Sequence, residues 1–206
     1  HFALLDADKG SLLITGPSPG VGKSFISKNL AAVLAQSGKK VVIVDADLRK
    51  GHIHREFGLA RETGVSEYVS GEVGLDAIVK PSGIQPGLDI ITTGQRPPNP
   101  SELLMHSRFE ILLAELGRRY DTVIVDAPPV LAVSDAAIIG RHTGATLFVA
   151  RAGLHPLREL EQAVKRLAQA GVKVKGFVFN DMDTTRQRYR YGYKGYVYQY
   201  SYKKGA

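Results

Sequence analysis

Nine residues, Gly16-Pro17-Ser18-Pro19-Gly20-Val21-Gly22-Lys23-Ser24, lie between a short apolar run, Leu12–Thr15, and a helix-patterned stretch that begins at Gly22 and runs to Gln36. No other feature of the chain restricts its fold so tightly. A turn from strand to helix needs glycine for its backbone, but it has no need of a lysine followed by a hydroxyl. The triplet Gly22-Lys23-Ser24 at such a junction reads as a phosphate loop of the Walker A type. In that loop backbone N–H groups and the helix N-terminus cradle phosphate, the lysine reaches the β- and γ-phosphates, and the hydroxyl serves Mg²⁺. The usual pattern has glycine where Pro17 stands; here the first glycine comes one place early, at Gly16. A loop of this kind commits the chain to a strand feeding a helix.

The rest of the body keeps that rhythm. Further strands are predicted over Val41–Asp45, Leu88–Thr92, Thr122–Asp126, Thr146–Ala150 and Val174–Asn180, and further helices over Ser101–Arg119, Ser134–Arg141 and Leu157–Ala170. Several strands are continuously apolar and β-branched, the composition of strands covered on both faces. Asn99, Pro100 and Glu102 suit the N-cap, first helical and capping-box positions of the helix that follows, and Gly171 suits the cap of the last helix. Alternating strands and helices predict an α/β fold of the P-loop NTPase type: a doubly wound, mostly parallel sheet with helices on both faces. Ligands of such sheets sit beyond the carboxyl ends of the strands. Gly94–Pro100 (GQRPPNP) reads as a rigid loop.

Two acidic motifs end apolar strands. Val41–Asp45 continues through Asp47 to Gly51, and Val123-Ile124-Val125-Asp126 reads as Walker B. A carboxylate at the tip of a buried strand faces the ligand crevice, so Asp126 is expected to bind Mg²⁺ directly or through water. Asp45 and Asp47 are candidates for the same site; a cap or salt-bridge role is the alternative for either. Asn180 ends the last strand, where its amide could read adenine or form a turn. His52 and His54 are two apart, the wrong spacing for one helix face. His106, His142 and His155 read as surface or helix-end residues, and no metal site is expected from them.

Seven of the nine tyrosines (Tyr189, Tyr191, Tyr193, Tyr196, Tyr198, Tyr200 and Tyr202) fall in the last eighteen residues, spaced by Gly, Lys, Arg, Gln and Ser. A core segment would not look like this. Arg186, Arg188, Arg190, Lys194, Lys203 and Lys204 carry six of the net +7, which leaves 7 − 6 = +1 for residues 1–183. The expected organisation is therefore a folded domain over 1–183 and a flexible tyrosine-rich tail over 184–206. Cysteine is absent, which excludes disulfides and thiolate metal sites. No apolar run is long enough to cross a bilayer, and no signal peptide opens the chain. A start at His1 rather than Met suggests a piece of something longer.

Four of these features together resemble one family, the bacterial tyrosine kinases of exopolysaccharide export (BY-kinases). They are the loop Gly16–Ser24, the motif Val41–Gly51 (VVIVDADLRKG), the strand Val123–Pro129 (VIVDAPP) and the terminal tyrosines. Gly94–Leu104 (GQRPPNPSELL) and Ala132–Asp135 (AVSD) are also similar to the family. The likeness covers essentially the whole chain. The neighbouring septum-site and partition ATPases carry a second lysine five residues before the Walker lysine, where this chain has Ser18. A regulatory tyrosine and arginine of some family members fall at His52 and Thr93 here, so that switch is not expected. Ring assembly of the piece is in doubt, because His1-Phe2-Ala3 resembles the sequence that directly follows the family's assembly helix.

The resemblance implies an ATP- and Mg²⁺-dependent protein-tyrosine kinase that autophosphorylates its terminal cluster and regulates exopolysaccharide or capsule synthesis and export. It implies a nucleotide on Gly20, Val21, Gly22, Lys23, Ser24 and Phe25, with Asn180 nearby. Ser24, Asp47 and Asp126 would serve the metal, Asp45 would be the base, and Arg49 would contact phosphate or an interface. The seven tail tyrosines would be the acceptors. Implied partners are other copies of the chain, a membrane-spanning chain-length regulator and a protein-tyrosine phosphatase, at the cytoplasmic face of the bacterial inner membrane; this piece itself would be soluble and cytoplasmic. The span from Tyr189 to Tyr202 reaches ~45 Å when extended, against a radius of gyration of roughly 17 Å for a domain of this size. Transfer between subunits is thus within reach. Each phosphate adds about −1.5 to −2 charge, so four would overturn the tail's excess. Two other readings use the same residues: a partition-type ATPase switch without kinase activity, and an ATPase with an RNA-binding Arg/Tyr tail. The near-neutral body argues against the second, and no nucleic-acid partner is expected.

Overall fold

The computed structural model describes residues 10–182. Seven strands form one sheet in the order β3-β4-β2-β5-β1-β6-β7. They are β1 (Ser11–Thr15), β2 (Val41–Asp45), β3 (Val79–Pro81), β4 (Leu88–Ile91), β5 (Thr122–Asp126), β6 (Ala145–Arg151) and β7 (Gly176–Asn180). Every pairing is parallel except β3 with β4. The eight helices of the described residues are α1 (Lys23–Gln36), α2 (Ile53–Glu56), α3 (Val65–Ser70), α4 (Leu75–Ile78), α5 (Pro100–Met105), α6 (Ser107–Arg119), α7 (Asp135–Gly140) and α8 (Leu157–Gln169).

The inner strands β1, β2 and β5 are buried on both faces because alternate residues feed two separate cores, while Phe177 and Phe179 of the edge strand β7 are exposed. Val41 and Ile43 join Leu12, Ile14 and Ile124 against Ala31 and Ala35 of α1. Val42 and Val44 join Leu13, Val123, Val125 and Phe148 against Phe109, Leu112 and Leu116 of α6, Ile139 of α7 and Leu167 of α8. A continuously apolar run such as Val41–Val44 is what this two-sided burial demands. The doubly wound α/β expectation is met.

Three details differ from the sequence reading. The helix expected over Ser101–Arg119 is two helices. His106 adopts an extended conformation (φ −68°, ψ 140°), and its Nδ1 accepts the N–H of Arg108 at 3.2 Å, which caps α6. Asn99 does precede α5, but its amide bonds the Glu102 side chain instead of closing a reciprocal capping box. The short elements α2, α3, α4 and β3 have no counterpart among the expected elements. They have too few residues to show a period, and packing on the sheet holds them.

The sheet brings three strand ends together. Asp126 is the register partner of Asp45 on one side and of Ile14 on the other. From β1 the chain proceeds outward to β2 and β4, and from β5 it returns past β1 to β6 and β7. The phosphate loop therefore opens where the winding reverses, the position at which such sheets bind ligands.

Candidate active site

The phosphate loop is shaped by close packing. Gly22 has φ 95°, a region side chains avoid, and a Cβ there would lie 2.1 Å from Asn180 Nδ2. That amide donates to the carbonyl of Val21 at 3.0 Å. Asn180 thus braces the loop from the end of β7. Helix α1 starts at Lys23, directing its free N-terminal N–H groups into the loop. Phe25 is exposed on the first turn. Burial lowers the Lys23 pKa, and the Asp126 and Asp47 carboxylates oppose that fall. An ammonium held half-dry between two acids suits an incoming polyphosphate.

Asp126 is buried, and its two oxygens are divided between two hydroxyls. Ser24 Oγ donates to one at 2.6 Å, and Ser27 Oγ to the other at 2.8 Å. Burial raises the Asp126 pKa, while Ser24, Ser27 and Lys23 pull it back. Ser27 escapes a reading of the sequence because it lies one turn beyond the motif; the i+3 spacing from Ser24 is the one signal that could have found it.

Asp45 is 1% exposed. Its oxygens accept the backbone N–H groups of Ile53 at 3.0 Å and Asp47 at 3.3 Å. A Cβ on Gly51 would come within 2.5 Å of it, so glycine there lets the turn close over the carboxylate. Burial raises its pKa well above the usual carboxylate range; Asp126 adds to the rise and the Ile53 N–H opposes it. Asp47 is the more open of the pair, and one of its oxygens accepts the N–H of Lys50 at 2.9 Å.

Arg49 is committed elsewhere. Its Nε and Nη2 grip the fully buried Asp135 at 2.8 and 3.1 Å, and Nη2 also reaches Ser101 Oγ at 2.8 Å. Arg49 pins the turn after β2 to α5 and α7. This explains the acid of the Ala132–Asp135 motif. Likewise Glu67 accepts the N–H groups of Gly64 and Gln95, both at 2.8 Å, and fixes the start of the Gly94–Pro100 loop. His52 faces solvent beside Glu56, and buried Thr93 accepts Nε of Arg61 at 3.1 Å.

The structure thus gathers Gly20–Phe25, Asp45, Asp47, Asp126 and Asn180 at one end of the sheet. The seven tail tyrosines lie outside the described residues. Ser24, Asp47 and Asp126 offer hard oxygens. Among the described residues no cluster of three or more His, Cys, Asp or Glu is arranged to hold an ion by itself. Magnesium takes one or two carboxylates and completes its shell with water and substrate phosphates, so this donor set fits it.

Comparison with known proteins agrees with that chemistry. Residues 12–197 match the model of the CobQ/CobB/MinD/ParA nucleotide binding domain. The kinase domain of the Escherichia coli tyrosine kinase ETK superimposes with a TM-score of 0.85 at 45% identity, over 98% of this chain and 76% of that one. The chain belongs to the bacterial tyrosine-protein kinase family. Among curated members it is 45% identical to tyrosine-protein kinase wzc of Salmonella typhimurium (strain LT2) over 97% of its own residues. It is 49% identical to tyrosine-protein kinase etk of Escherichia coli (strain K12) over 87% of its own residues. It spans 28% and 25% of the lengths of these two relatives. Among the described residues no helix is long and apolar enough to cross a membrane.

Proposed function

We propose that this chain is the catalytic part of an ATP-dependent protein-tyrosine kinase whose substrate is its own C-terminal tyrosine cluster, Tyr189 to Tyr202, presented by another copy. The observation that carries the reading is the junction of Lys23, Ser24, Asp47 and Asp126 at the winding reversal of the sheet, in a chain that ends in seven closely spaced tyrosines. The phosphate loop and Lys23 hold the β- and γ-phosphates of ATP. Ser24, Asp126 and Asp47 are the residues that hold Mg²⁺, which when bound neutralises charge developing on the phosphates. The tyrosine phenol oxygen forms a bond to the γ-phosphorus, the bond from that phosphorus to the β–γ bridging oxygen breaks, and ADP leaves.

Asp45 is proposed to take the phenol proton, for its burial raises its proton affinity towards that of a working base. Sealed beneath Gly51, it meets a phenol only when the turn over Asp47 to Ile53 lifts. By family, the wider role proposed is control of exopolysaccharide or capsule synthesis and export. The proposed setting is the cytoplasmic face of the bacterial inner membrane, with a membrane-spanning chain-length regulator and a phosphatase as partners.

Incubation with labelled ATP·Mg²⁺ followed by phosphotyrosine blotting tests the reading. Lys23→Met should remove nucleotide binding and labelling together; retained labelling refutes the role assigned to Lys23. Changing all seven tail tyrosines to Phe should remove most label while sparing nucleotide binding. Strong residual signal would make Tyr68, Tyr120 or another protein the acceptor.

A further inference from the structure

Ser18 stands between two prolines in the phosphate loop. Neither Pro17 nor Pro19 has an N–H, so the front edge of the loop has lost two of the backbone donors that such loops turn towards phosphate. The donors that remain on this three-residue stretch are the Ser18 N–H and the Ser18 hydroxyl. The hydroxyl is not left to itself. Its Oγ lies 2.6 Å from Nε2 of His155, which is 137 residues away in the turn between β6 and α8.

Hydrogen-bond accounting orders the protons of this pair. Ser18 Oγ also lies 3.1 Å from the carbonyl of Pro19. The other imidazole nitrogen, His155 Nδ1, is buried without a partner among the described residues. A buried N–H with no acceptor costs more than a buried lone pair with no donor. The proton therefore sits on Nε2, which donates to Ser18 Oγ, and the Ser18 hydroxyl donates onward to Pro19. That last bond joins adjacent residues and is long for O–H···O. It is a contact that a stronger acceptor displaces by rotating the hydroxyl alone.

The imidazole is placed by its backbone. The Ala152 N–H donates to the Asn180 carbonyl at 3.0 Å, while the Asn180 amide braces Val21. Pro156 starts α8 and accepts the N–H of Glu159 at 3.0 Å. On the loop side, the carbonyls of Gly16 and Pro17 are held by the N–H groups of Val130 and Leu131. Both partners thus stand on fixed frames, and the hydroxyl rotor is the moving part.

We propose that His155 is a positioning residue for the terminal phosphate of the nucleotide: its Nε2–H holds Ser18 Oγ so that the Ser18 hydroxyl donates to a γ-phosphate oxygen at the edge of the loop that the two prolines cannot serve. The inference rests on the nucleotide site described above, and it concerns discrimination of triphosphate from diphosphate rather than the acceptor.

The test is fluorescence titration of the full 206-residue chain with a non-hydrolysable ATP analogue and with ADP, each with Mg²⁺. The wild type is compared with Ser18→Ala, His155→Ala, the double variant and His155→Gln. One neutral hydrogen bond corresponds to a loss of about 3- to 10-fold in triphosphate affinity for Ser18→Ala and His155→Ala, with ADP affinity unchanged to about two-fold. The double variant should be no worse than Ser18→Ala, since His155 acts through that hydroxyl. Gln places an amide near the position of Nε2 and should recover most of the loss. Equal losses for ATP and ADP would reduce His155 to a structural prop and overturn the proposal. So would a silent His155→Ala, or a double variant whose loss is the product of the two. Absence of phosphotyrosine with this binding pattern intact would sink the kinase reading and leave the inference standing.

Discussion

Ser27→Ala isolates what a second hydroxyl contributes to the Asp126 carboxylate. Ser27 is fully buried, and its Oγ donates to Asp126 Oδ1 at 2.8 Å, opposite Ser24 on Oδ2. A hydrogen bond to a charged group is worth about 1.5–3 kcal/mol. Alanine is the better helix former by about 0.5 kcal/mol, which offsets part of the loss. The expected net cost is about 1–2.5 kcal/mol near neutral pH, or roughly 2–10 °C in Tm for a domain of this size. The cost should depend on pH with a definite sign. Burial already holds the Asp126 pKa up, and Ser27 is one of the groups pulling it down. Removing Ser27 raises the folded-state pKa further, so the native protein keeps its proton to higher pH than the unfolded chain does. The unfolded chains titrate alike, so the added loss of stability grows as pH rises through the raised folded-state range of Asp126 and is smallest below it, where both native proteins hold the proton. Urea unfolding of wild type and variant without nucleotide, at acid and at neutral pH, measures the difference. A cost that is equal at both pH values, or absent at neutral pH, would refute the role of Ser27 in holding Asp126 ionised.

Arg49→Ala leaves the fully buried Asp135 with Ser101 as its remaining side-chain hydrogen-bond partner among the described residues. Breaking a buried pair costs about 3–5 kcal/mol, but Arg49 is partly in solvent, so about 1–3 kcal/mol is expected in urea melts. Arg49→Lys should fail to restore it, because a lysine cannot grip both oxygens; full recovery with lysine would argue against the two-toothed contact. Without nucleotide, stability should fall as pH rises from about 4, since the raised pKa values of Asp45 and Asp126 mean that the native state holds protons the unfolded chain releases. Asp45→Asn should flatten that fall in a pH series of thermal melts, and an undiminished slope would remove Asp45 as its source.

Much of the site could be read along the chain because each motif is a local unit. Gly22-Lys23-Ser24 belongs to one turn, and Asp45 and Asp126 end strands whose apolar runs mark them as buried. Such features need only the sequence and the period of a strand or helix. The α/β rhythm follows from the same patterns, as does the expectation that the carboxylates share a crevice.

What the tertiary structure decided are contacts between positions far apart in the chain. Nothing in the sequence joined Asn180 to the phosphate loop; the packing of β7 beside that loop sets its amide on Val21. Nothing in the sequence paired Arg49 with Asp135, 86 residues on, until α7 placed that acid beside it. Ser27 and His155 carried no motif at all, and each gained its role from a partner on the order of a hundred residues away. The sequence by itself determined which residues are candidates for a polyphosphate and which strand ends present them, because those choices are made by local backbone geometry and side-chain chemistry. Only the fold decided which polar groups brace the site and which remain free to act, because a buried hydrogen bond depends on what the rest of the chain brings within about 3 Å of it.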